Sequence, residues 1–137
     1  MIKDCPFYNY TPTLIVKIIN PHASPVKSLI TNGIIDTGAS ECTIPAAFAP
    51  LLGHNLQNGV LKPNVQTAAG ATNSWAHTTT FEIFHPITRD ILYRIENIPV
   101  DFMEKLPVVL LGASNFLSRF VLNINYPLKR FSLLFPV

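Results

Sequence analysis

Asp36 follows two isoleucines, Ile34 and Ile35, and precedes Thr37, Gly38, Ala39 and Ser40. An apolar strand that ends on a carboxylate brings an ionisable group to the rim of a core, where it is costly unless neighbours hydrogen-bond it. The next residues are suited to doing so. Thr37 and Ser40 carry hydroxyls, Gly38 lets backbone N–H groups come close, and Ala39 adds no bulk. A carboxylate held this way can take a proton from water or give one back. Asp4, Asp90 and Asp101 sit in unrelated contexts, so the Asp-Thr-Gly pattern occurs once. The tripeptide alone assigns no reaction, because Asp-Thr-Gly is also ordinary turn chemistry at a strand end.

Other chemistries find little support. Cys5 and Cys42 provide neither a disulfide framework nor metal-ligand spacing, and are expected as buried thiols. His22, His54, His77 and His85 fall in turns or strands without metal spacing and read as ordinary turn or surface histidines. No metal and no cofactor is expected. The Gly-x-Ser-x-Gly elbow of a serine hydrolase is missing. A net charge of +2, from 10 basic and 8 acidic residues without a run or stripe, argues against a nucleic-acid partner. With 137 residues, 48% hydrophobic and 13% charged, the chain is expected to form one domain, 1–137, whose apolar surface favours association. No apolar stretch reaches the roughly 18 residues of a membrane helix, and the first residues lack a signal-like run. The expectation is a cytoplasmic protein with no membrane partner.

The elements that must position Asp36 read as short strands, since 12 prolines and 6 glycines disfavour long helices. Residues 8–10 and 14–20 read as extended, the second being β-branched and largely buried. A turn at 20–25 leads to a returning strand at 26–31, punctuated by Asn32-Gly33 before the 33–36 strand that carries the carboxylate. Residues 46–52 read as one helical turn begun by Pro45, and 54–59 as a surface excursion. Ala68, Ala69, Gly70, Ala71 and Thr72 form a small-residue hairpin tip, followed by a long strand at 75–84. A turn at 85–90 and a strand at 91–95 precede an irregular 97–107, with Glu104 and Lys105 facing solvent. Leu110, Leu111 and Gly112 end an apolar strand, and the glycine implies close backbone packing against the aspartate turn. A short helix over 113–120, capped by Asn115 or Ser114, and two closing strands at 121–125 and 131–135 complete the chain.

Ile-Ile-Asp-Thr-Gly-Ala, a glycine-centred hairpin and Leu-Leu-Gly, in that order, resemble the retropepsin-like (retroviral-type) aspartic peptidases. The resemblance spans residue 34 to about residue 120. It implies an all-β fold, a closed acid-protease-type β-barrel with one short helix near the C-terminus. It also implies a homodimeric endopeptidase acting on polypeptide, in which each subunit supplies one Asp36. Thr37, Gly38, Ala39 and Ser40 would support the loop: Thr37 by bonding across the subunit junction, Gly38 and Ser40 by holding the carboxylates. Residues 68–72 would be the substrate-binding flap, and Leu110, Leu111 and Gly112 the strand packed under the loop. Many viral members place Asp after the Gly-Ala and Arg after the Leu-Leu-Gly; this chain has Ser40 and Ala113 there. That departure bears on the strength and geometry of the dimer. The alternative is a catalytically inactive domain of the same fold, serving binding or dimerisation.

Overall fold

The computed structural model describes residues 2–67 and 70–135. The architecture is all-β, as expected. Ten strands form two sheets, and the helical content is limited to four single 3-10 turns among the described residues.

The larger sheet is built around β2 (Thr13–Asn20), β3 (Lys27–Ile35), β4 (Thr43–Pro45), β5 (Val60–Thr67), β6 (Gly70–Phe84), β7 (Ile91–Met103) and β8 (Val109–Leu111). Its order is β2-β3-β8-β4-β7-β6-β5, and a further pairing of β2 with β6 bends it into a near-closed ring. β2 explains how the ring closes. Leu14, Val16 and Ile18 alternate on its core face, and the strand pairs with β3 along one edge and β6 along the other. A β-branched, two-sided strand of this kind has no free edge to protect. Phe81, Ile83, Phe102, Leu111 and Phe116 meet Leu14, Val16 and Ile18 inside the ring. A smaller antiparallel sheet joins β1 (Ile2–Pro6), β10 (Arg130–Leu134) and β9 (Val121–Asn125), and Phe131 and Leu133 tie it to the same core.

Four expectations are corrected. Residues 8–10 are not extended: Asn9 and Tyr10 have φ of 52° and 64°, and Tyr8 and Thr11 exchange both backbone bonds at 3.0 Å. That is a two-residue reversal of the hairpin type, which accepts left-handed residues at both central places. Asn32-Gly33 does not break the chain but lies inside β3, where a Cβ on Gly33 would stand 2.8 Å from Val16 Cγ2. Glycine serves packing there, not turning. Residues 97–103 continue β7, because a bulge with Asn97 at φ 51° absorbs the irregularity and the ladder with β6 resumes. Residues 46–52 make two 3-10 turns, Ala46–Phe48 and Pro50–Leu52, rather than one.

Candidate active site

β3 ends at Ile35, and the chain re-enters the sheet as β4 on the far side of β8. Ile35 pairs with Leu111 and Thr43 with Leu110, so the loop 36–42 straddles the end of β8. That crossing explains Gly112. A Cβ there would lie 2.3 Å from both the carbonyl carbon and oxygen of Glu41, so no side chain fits beneath the loop.

The loop is fastened from both sides. Asp36 N–H donates to Leu111 O at 3.1 Å, and Gly38 N–H donates to Asp36 Oδ1 at 2.9 Å. Ala39 N–H closes a turn onto Asp36 O at 3.2 Å. Beyond Gly112, Ala113 N–H donates to Ala39 O at 3.0 Å and Ser114 N–H to Ser40 O at 2.8 Å. Asn115 Oδ1 accepts from Cys42 N–H at 2.8 Å. Ala113 N–H and the Ser40 carbonyl are thus each committed to a main-chain bond, with Ala39 and Ser114 respectively, that joins the loop to the segment after Gly112. Asn115 and Ser114 cap no helix; Asn115 Oδ1 and Ser114 N–H bond the loop, and the expected helix shrinks to a 3-10 turn at Leu117–Arg119 without a side-chain cap. Asp36 is half-buried, while Thr37, Gly38 and Ser40 are exposed. Neither the Thr37 nor the Ser40 hydroxyl makes a hydrogen bond among the described residues. Among the described residues the Asp36 carboxylate accepts from Gly38 N–H and not from Ser40.

Cys42 ends the loop inside the core. Its Sγ accepts the Gly112 N–H at 3.4 Å. Burial pushes the thiol up to about 11, opposed by that backbone bond and reinforced by the charge of Glu41. Such a thiol is structural, not nucleophilic.

A cleft of about 710 Å³ opens over Asp36. Its floor is the loop with Leu110, and its roof is the β5–β6 hairpin through Val65, Gln66, Thr67, Gly70, Ala71 and Thr72. Ala68 and Ala69 lie outside the described residues. The hairpin closes with Thr67 paired to Gly70, whose φ is 106° and beside which a Cβ would meet nothing within 4 Å. The structure thus brings Asp36, Gly38, Ala39, Ser40, Gly70, Ala71, Thr72 and Leu110 around one space. Leu111 and Gly112 are buried behind it.

Sequence reasoning missed more than half of this lining. Val65, Gln66 and Thr67 belong by register, since they pair with Thr72, Ala71 and Gly70. Thr43, Asp101 and the segment 103–107 enter because β7 flanks β4 and runs directly into β8. Glu104 and Lys105 both line the cleft; Lys105 is exposed, as expected, while Glu104 is half-buried. Three histidines are also more than surface residues. His54 and His77 stack with centroids 4.5 Å apart, both edge-on to Phe102. His85 is buried and organises its turn, with Nδ1 accepting from Ile87 and Thr88 N–H at 3.1 Å. Among the described residues no group of three or more His, Cys, Asp or Glu could hold a metal ion, and no helix is long and apolar enough to cross a membrane.

No protein-family model and no curated protein matches the sequence. Solved structures do. The chain is similar to a retropepsin-like aspartic protease from Rickettsia conorii, with a TM-score of 0.70 at 20% identity, covering 97% of this chain and 98% of that one. It is also similar to EIAV protease complexed with the inhibitor HBY-793, at a TM-score of 0.49 and 19% identity over 81% of this chain and 91% of that one. The ring of strands, with its loop straddling β8 and its overhanging hairpin, is the retropepsin-like fold.

Proposed function

We propose that the chain is an aspartic endopeptidase that works as a homodimer, with Asp36 of each copy facing its twin across a two-fold axis. The observation that carries this reading is the placement of Asp36. The Asp36 carboxylate, tethered by Gly38 N–H, stands at the floor of a cleft roofed by a hairpin. A volume of about 710 Å³ suits several residues of an extended peptide, which can pair with the hairpin as an added strand.

Two carboxylates a few ångströms apart do not comfortably both ionise, so the pair holds one proton. The ionised member takes a proton from a bound water, and that water attacks the scissile carbonyl. The protonated member polarises the carbonyl and later helps protonate the departing amine. Thr37, exposed in the loop, would bond its counterpart's loop. Gly38, Ala39 and Ser40 hold the turn, and Leu110, Leu111 and Gly112 support it from below.

Asp36→Asn tests the reading. It is expected to lower cleavage of an unfolded polypeptide by roughly a thousandfold or more, with the circular-dichroism spectrum and melting temperature nearly unchanged. Unaltered cleavage by that variant removes Asp36 from the chemistry.

A further inference from the structure

Lys62 sits near the base of the roofing hairpin, opposite Ser74 on β6, and its ammonium reaches acids on two other elements. It lies 3.1 Å from Asp101 Oδ2 on β7 and 3.8 Å from Glu41 Oε2 in the loop after Asp36. The two partners are unequal. Asp101 is sheltered, with 15% of its side chain exposed, and takes the short contact. Glu41 is 48% exposed and stands beyond hydrogen-bonding distance. One ammonium thus serves two carboxylates, and the charge left over resides on Glu41.

Glu41 and Asp101 line both the main cleft and a neighbouring hollow of about 400 Å³ walled by Val60, Ile98 and Pro99. The cluster therefore stands where the two spaces meet, and an extended chain leaving the cleft toward the hollow passes it. The lining of the main cleft carries four carboxylates, of Asp36, Glu41, Asp101 and Glu104, against the single ammonium of Lys105 among the described residues. The whole chain, by contrast, is net +2. A concave, acid-lined space concentrates cationic groups even on a weakly basic protein.

Building on the peptidase reading of this cleft, we propose that Glu41 selects a lysine or arginine side chain of the bound polypeptide, and that Lys62, anchored by Asp101, positions Glu41 at that subsite. A cationic side chain there forms a charge-assisted hydrogen bond with Glu41. An acidic one meets a like charge that Lys62 only partly offsets.

The test uses peptides of one cleavable core, varied among Arg, Lys, Gln and Glu at each flanking position. Cleavage is followed with the wild type, and binding with Asp36→Asn protein, which separates recognition from chemistry. At one flanking position Arg and Lys peptides are expected to exceed the Gln peptide by about tenfold in kcat/KM and in affinity. Glu41→Gln brings that ratio close to one, and Glu41→Arg inverts the order toward Glu. Cleavage indifferent to charge, or a preference for Arg that survives Glu41→Gln, overturns the selection and leaves the peptidase reading standing. Selective binding of Arg peptides by Asp36→Asn protein, with no cleavage by the wild type, does the reverse. Absence of both binding and cleavage overturns both.

Discussion

Gly112 is the residue on which the loop's position most depends. A methyl group there meets backbone atoms of Glu41 at 2.3 Å, and backbone has nowhere to give. At Gly33 the same methyl meets only side-chain atoms, Val16 Cγ2 at 2.8 Å and Leu111 Cγ at 3.1 Å. Gly112→Ala is therefore expected to cost about 3 kcal/mol or more of stability in urea unfolding, and Gly33→Ala distinctly less. Equal losses would contradict the packing argument. Cys42 gives a second residue-level prediction. Its folded value of about 11 lies above the ordinary 9.0, so the buried thiol contributes stability that is fully present below pH 9.0 and lost as pH rises toward 11. The decline amounts to roughly 2–3 kcal/mol, and Cys42→Ala should remove that alkaline decline from the stability curve.

The base of the roofing hairpin is an element with its own pH dependence. His54 packs between His77 and Phe102, and its Nε2 is buried without a hydrogen-bond partner among the described residues. Burial first, then the charges of His77 and His22, hold its imidazole below the usual 6.5. The unfolded chain thus takes this proton before the folded one, so stability present above pH 6.5 is lost as pH falls through the folded value. His54→Gln is expected to flatten the drop in melting temperature between about pH 7 and pH 5; an unchanged slope would contradict it. Element by element, the sequence was readable where local chemistry decides: the aspartate loop, the hairpin around Gly70 and the closing strands β9 and β10 all stand near their expected places. It misled where tertiary contact decides. Gly33 looked like punctuation because Val16 and Leu111, its reasons for being small, lie far away in sequence. The second half of β7 looked irregular because only the partner β6 shows that Asn97 opens a bulge rather than a loop. Glu104 looked like a solvent-facing charge because nothing local announces the cleft it borders.

At the scale of the whole molecule, the ring of β2–β8 completes a core, yet the chain supplies one Asp-Thr-Gly loop. Apolar surface gathers around the small sheet, where Tyr8, Tyr10, Val121, Tyr126 and Leu128 are all more than half exposed. Such a cluster favours association. If the proposed dimer forms each active site from two copies of Asp36, wild type and Asp36→Asn subunits will assemble into mixed dimers that carry one acid and no activity. The decisive measurement is the rate of peptide cleavage after co-refolding the two in varying ratio at fixed total concentration. A shared active site predicts that the rate falls as the square of the wild-type fraction. A fall in simple proportion to that fraction would mean that each chain works alone, and would contradict the two-subunit mechanism.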